Sequence, residues 1–102
     1  MRLGMVIGRV TLSRTIPQYE GGRFLLVTPF TREQYSRPPE LPRGLSPRPS
    51  PVIYDNLGGG TGDIVGYVEG REASMPFDEP TPVDALCVAL VDHIFHHPPD
   101  TP

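Results

Sequence analysis

Three histidines, His93, His96 and His97, stand close together near the C-terminal end of the sequence, with Asp92 and Asp100 beside them. On a helix this spacing sets imidazoles on one face, where they could hold a divalent metal. Pro98 and Pro99 follow at once, however, and a metal site needs neighbours that orient its ligands. The cluster therefore reads as a solvated tail, and no metal is expected. A second candidate is NLGGGTGDIV, residues 56–65, which carries Gly58, Gly59, Gly60 and Gly62 around Thr61. A phosphate-binding loop needs a lysine and a hydroxyl after its last glycine. Here Gly62 is followed by Asp63 and Ile64, and a carboxylate at that point repels a phosphate. The dinucleotide fingerprint fails too, because it requires a third glycine where Asp63 stands. Glycine permits positive φ and close backbone approach, so residues 56–62 read as a tight link between strands or a surface pressed against another subunit. Cys87 lies inside the apolar run ALCVALV and reads as core. The acids Asp55, Asp63, Asp84 and Asp92 fall at strand ends and caps, where short polar side chains satisfy backbone donors. No nucleophile, base and orienting group converge, so neither catalytic residues nor a cofactor is expected.

The segments that must position these residues are short and mostly extended. Residues 2–13 read as a strand that changes face at Gly8: Leu3, Met5 and Ile7 share one side, and Val6, Val10 and Leu12 the other. A glycine where alternation slips marks a bulge or a sharp bend. TIPQYEGG, residues 15–22, is a loop leading into RFLLVTPF, in which Leu25 and Val27 oppose Phe24, Leu26 and Thr28. Both faces are apolar, which predicts one inward surface and one covered by a neighbour. PVIYDN (51–56) and DIVGYVEG (63–70) give two more strands around the glycine loop, and REASMPFDEP is an irregular crossing. Thr81, Pro82 and Asp84 form a helix-start signature, whereas the alternation from Val88 to His93 fits a strand. A single helical turn before a last strand satisfies both, with Pro82, Val83, Asp84 and Ala85 as the turn. Between the second and third strands lies SRPPELPRGLSPRPSP, residues 36–51, with six prolines in sixteen residues. Neither ladder nor helix runs through such a stretch. Its minimal PxxP, Pro39 to Pro42, lacks suitably spaced charged flanks, so it reads as a surface excursion between strands.

Composition narrows the class further. The chain has 102 residues, fourteen of them proline and eleven glycine, which favours a turn-rich β domain over long helices. One domain of this size buries a modest core, and association with further copies would extend it. All nine basic residues are arginine, which excludes Schiff-base and phosphate-loop lysines, and the net charge of −3 offers a polyanion no general attraction. A single cysteine forms no internal disulfide and fits a reducing compartment. The opening MRLGMVIGRV is too short and too interrupted for a signal peptide, and no run reaches the roughly 20 apolar residues of a membrane span. Neither a nucleic-acid nor a membrane partner is expected.

Taken in order, MRLGMVIGRVTLSR, EGGRFLLVTPF, IYDNLGGGTGDIVGYVEG and TPVDALCVALVDHI together resemble the EutN/CcmL family, the pentameric vertex proteins of bacterial microcompartment shells. The likeness covers about two thirds of the chain and keeps segment order. It implies an all-β fold: a small closed five-stranded barrel similar to an oligonucleotide-binding fold, with one short helical turn near the C-terminus. The barrel would span residues 1–95, including the proline-rich insert at 36–51, with 96–102 as a tail. The resemblance further implies a non-catalytic role, a homopentamer that fills the five-fold corners of a shell otherwise tiled by hexamers, and a place in the cytoplasm within that shell. Gly58, Gly59, Gly60 and Thr61 would pack against a neighbouring subunit near the five-fold axis. Gly8, Asp63 and the turn Pro82 to Ala85 would be structural. The chain departs from the family pattern at the proline-rich insert and at GREASMPF (70–77), where a serine-containing stretch is more usual.

A second class of function stays open at this level. An oligonucleotide-binding type of barrel could stack a single strand or a small ligand on Phe24, Phe30, Tyr54 and Tyr67. The acidic balance and the absence of lysine count against it.

Overall fold

The computed structural model describes residues 1–31 and 50–95. Five strands close into a barrel: β1 (Arg2–Val10), β2 (Arg23–Pro29), β3 (Val52–Asp55), β4 (Ile64–Glu69) and β5 (Ala85–Val91). Their order around the ring is β1-β2-β3-β5-β4, and β4 returns to β1. All neighbours are antiparallel except β3 and β5, which run parallel. The ring closes through every neighbour, most thinly between β3 and β5, which meet at Tyr54 and Leu86.

Alternation decides what lies inside. Val6, Leu25, Val27, Ile53, Val65, Tyr67, Ala85 and Cys87 form the barrel core. The expected pairing of Leu25 with Val27 on one face of β2 is therefore the observed inward face. Two slips in register bend the sheet. In β1 the ladder to β2 shifts between Val6 and Gly8, as the change of face predicts. A Cβ on Gly8 would meet nothing within 4 Å, so the bulge does not depend on glycine for space. In β5 the ladder to β4 shifts around Val88, which restores Leu90 opposite Val65 at the barrel mouth. The simple alternation expected from Val88 to His93 fails at that point.

The helical turn is elsewhere than expected. Residues 71–74 form α1 (Arg71–Ser74), with Ala73 buried beneath it. Residues 81–84 are not helical. The hydroxyl of Thr81 donates to the carbonyl of Glu79 at 2.8 Å instead of capping, and Val83 N–H donates to Thr81 at 2.9 Å. That two-residue step is a γ-turn centred on Pro82, whose ring fixes the required φ. Pro82 to Asp84 thus turn the chain into β5 without a helix.

The crossing from α1 to β5 lies over the outside of the barrel. Beneath it Tyr54, Ala73, Val83 and Leu86 form a second apolar cluster, with Tyr19, Phe24, Val68 and Phe77 packed at its rim. A 3-10 turn at Pro17–Tyr19 closes the far side, where the Tyr19 hydroxyl donates to the carbonyl of Pro82. Both apolar faces of β2 and β3 are thereby explained within one chain: the neighbour covering the outer face is largely the chain's own crossing. The proline-rich insert lies outside the described residues except for Ser50 and Pro51; the carbonyl of Pro51 accepts from Val27 N–H at 3.0 Å. Residues 96–102 also lie outside them.

Candidate assembly surface

The glycine loop is built on one buried carboxylate. Asp55 ends β3 only 1% exposed, and its oxygens accept from the backbone N–H groups of Leu57 at 3.0 Å, Gly58 at 3.2 Å and Gly59 at 2.7 Å. Three charge-assisted bonds from consecutive residues fix this half of the loop rigidly. Asp63 fixes the other half: its side chain accepts from Gly60 N–H at 2.8 Å, and its own N–H donates to the Gly60 carbonyl at 2.9 Å. Val6 joins the loop to β1, taking Gly62 N–H at 2.8 Å and giving its own N–H to Asp63 at 2.9 Å.

Glycine is required at two positions for conformation, since φ is +94° at Gly58 and +93° at Gly62. At Gly59 the requirement is space. An added Cβ would lie 3.1 Å from Leu25 and 3.3 Å from the Asp55 carboxylate, so Gly59 plugs the barrel mouth of its own subunit. Gly60 needs neither: its φ is not positive and the nearest atom to a Cβ there is 3.9 Å away. Gly58 and Thr61 are exposed, Gly60 half-buried and Gly59 buried. Of the four residues expected at a subunit surface, three are thus accessible and one faces inward.

Cys87 stands beside the same anchor. Burial first, and then the Asp55 carboxylate beside it, push its thiol up to about 12. A thiolate is the reactive form, so Cys87 is inert core, as the apolar run around it predicts. Among the described residues no three potential ligands gather around a metal position. His93 is exposed beside Phe95, and His96 and His97 lie outside the described residues.

The alternative stacking surface does not exist in the expected form. Tyr67 is 0% exposed and Tyr54 2% exposed, Phe30 is buried, and Phe24 packs edge-on against Tyr54 with ring centroids 5.5 Å apart. These rings serve the two apolar clusters, because the barrel and its crossing offer more apolar burial than solvent does.

What the outside offers instead is apolar. Val52 on β3, Val88 on β5 and Leu57 in the glycine loop are each partly exposed, and Phe95 beyond β5 is almost fully so. A closed barrel with a rigid loop at one mouth, and with Val52, Leu57, Val88 and Phe95 left on its outside, defines a small β-barrel module.

The family follows from the sequence as a whole. The model described as ethanolamine utilisation protein EutN/carboxysome matches residues 1–92, which contain all five strands, and the chain belongs to the EutN/CcmL family. Among solved structures it is similar to the pentameric shell protein from the RMM microcompartment, at 27% identity over 98% of this chain and 100% of that one, with a TM-score of 0.72. GrpN, a pentameric microcompartment shell protein from Rhodospirillum rubrum, shares 28% identity over 94% of this chain and 100% of its own, with a TM-score of 0.68. CcmL from Gloeobacter violaceus shares 28% identity over 90% and 86%, also at 0.68. No curated protein is similar enough to be matched.

Proposed function

We propose that five copies of this chain form a ring that caps the five-fold vertices of a bacterial microcompartment. As a member of the EutN/CcmL family the chain is a structural shell protein, and its relatives include pentameric shell proteins. The observation that carries the reading is the family match over the whole barrel, joined to similarity over the full length of pentameric relatives. The role is geometric: flat hexagonal layers close into a polyhedron only through five-fold corners, and a ring of five fills one.

The geometry of the glycine loop supports a finer reading of the subunit contact. Gly58, Gly60 and Thr61 meet a neighbouring subunit near the five-fold axis, while Gly59 supports them from within. Asp63 and the turn from Pro82 to Ala85 shape the subunit and touch no partner. Residues 1–95 act as one barrel domain; the insert at 36–51, assigned to contact with hexameric or pseudohexameric tiles or cargo, and the tail assigned to 96–102 lie outside the described residues save Ser50 and Pro51. The protein has no catalytic activity of its own and works in the cytoplasm as part of the shell. No described helix is long and apolar enough to cross a membrane. Native mass spectrometry at micromolar protein tests the core of this: a five-subunit species is expected without added ligand. A folded monomer indifferent to hexameric shell proteins would remove the proposal.

A further inference from the structure

A ring of identical chains needs two different surfaces on each chain, one that gives and one that receives. On the receiving side the outside of the barrel holds an apolar groove of about 290 Å³, lined by Asn56, Pro76, Phe77, Leu86 and Val88. Its floor is the buried Leu86, one wall is Phe77 from the crossing, and the opposite lip is Val88, which the β5 bulge turns outward at 42% exposure. On the giving side stands Phe95, 84% exposed beyond the end of β5. That exposure means its ring does not occupy its own chain's groove. Beyond Val88, β5 continues to Val91 at roughly 3.3 Å per residue, which sets groove and ring at different stations along the subunit.

We infer that Phe95 of one copy seats in the groove of the next copy around the ring. The inference rests on the pentameric reading and names the contact that makes it. Rigid aromatic side chains in desolvated pockets are the usual anchors of protein interfaces, and a seated phenylalanine buries on the order of 150–250 Å². Polar groups around the two surfaces match as well. Phe77 also borders a second depression lined by Pro17, Gln18, Asp78 and Glu79, so two carboxylates stand beside the receiving groove. His93 accompanies Phe95, with ring centroids 6.1 Å apart. An imidazole donates a hydrogen bond in either protonation state, and the seated arrangement offers it the carboxylates of Asp78 and Glu79, the latter also accepting from Gln18 Nε2 at 3.2 Å. Each copy gives one ring and receives one, so the contact repeats around the axis and leaves no groove empty when the circle closes.

The test uses the full chain with Phe95→p-benzoylphenylalanine, irradiated after assembly, with the linked peptides sequenced. The expected product joins position 95 of one copy to Asn56, Pro76, Phe77, Leu86 or Val88 of another. In parallel, Phe95→Ala is expected to raise the ring's dissociation constant at least tenfold while the separated subunit keeps the melting temperature of the parent's. Links that fall elsewhere on a sister copy or on an added tile protein overturn the inference, as does a Phe95→Ala ring as tight as the parent's; in each case the vertex reading survives. A parent chain with no five-membered species overturns that reading and takes this contact with it.

Discussion

Asp55 is the residue on which the most local structure depends. Its carboxylate accepts from three successive backbone donors, and two of those donors, Leu57 and Gly58, belong to residues that otherwise face solvent. Removing the carboxylate strands Gly59 N–H in a buried place, where no water replaces it. Asp55→Ala is therefore expected to cost about 3 kcal/mol, and Asp55→Asn less, since one amide oxygen keeps part of the set. Urea unfolding at fixed protein concentration measures both. The neighbouring thiol gives a second prediction with a definite sign. Because the Cys87 pKa rises from 9.0 to about 12, the folded state keeps its proton where the unfolded chain loses it. Stability from this group is fully present below pH 9 and is lost as pH rises from there towards 12. Burial raises Tyr54 too, which acts in the same direction above pH 10. Cys87→Ala is expected to flatten the Cys87 part of that alkaline slope, and thiol reagents at pH 8 are expected to label Cys87 only after unfolding. Prompt labelling of the native protein would contradict the buried placement.

At the scale of elements, the glycine loop separates two kinds of requirement. Gly58 and Gly62 sit at positive φ, a region that costs an L-residue roughly 1–2 kcal/mol. Gly58→Ala is thus expected to destabilise the isolated subunit by about that amount, read as a shifted urea midpoint. Gly60 has no such constraint, so Gly60→Trp is expected to leave the subunit's own unfolding unchanged and to shift rings towards monomers, read by native mass spectrometry. A Gly60→Trp ring indistinguishable from the parent's would place this loop away from the subunit contact. The strands β2 and β4 were legible because each carries its own alternation, and Leu25, Val27, Val65 and Tyr67 announce an inward face without knowledge of any partner. The helical turn was not. Thr81, Pro82 and Asp84 present the side chains of a helix start, but Thr81 spends its hydroxyl on Glu79, while α1 forms at a stretch of ordinary helix formers stopped by Pro76. The outer cluster was hidden for a different reason: Tyr19, Phe24, Tyr54 and Phe77 come from four separate segments, and the fold gathers the other three rings around Tyr54, each with its centroid within 6 Å of that ring. Phe24 and Tyr54 of this cluster, read singly with Phe30 and Tyr67, suggest a stacking surface that the fold consumes.

For the whole molecule the question is how much of its stability belongs to the subunit and how much to the ring. The barrel has its own core and a second cluster outside it, so a separated subunit is expected to remain folded. Yet Val52, Leu57, Val88 and Phe95 stay exposed on a domain too small to hide them, and whatever part of that area the proposed ring covers is removed from water. Assembly then acts as a ligand for the folded state: any binding that excludes the unfolded chain raises stability by mass action. The apparent melting temperature should accordingly rise with protein concentration, by several degrees between 1 and 100 µM as an order-of-magnitude expectation for a ring that dissociates in that range. Differential scanning calorimetry on a dilution series checks it, with a Phe95→Ala sample as the comparison. Because that substitution weakens the ring and leaves the barrel core untouched, its melting temperature should fall below the parent's at 100 µM and converge with it on dilution. Parallel curves offset by a constant amount would instead assign Phe95 a role inside its own subunit, and a concentration-independent parent would mean that the barrel gains nothing from its neighbours.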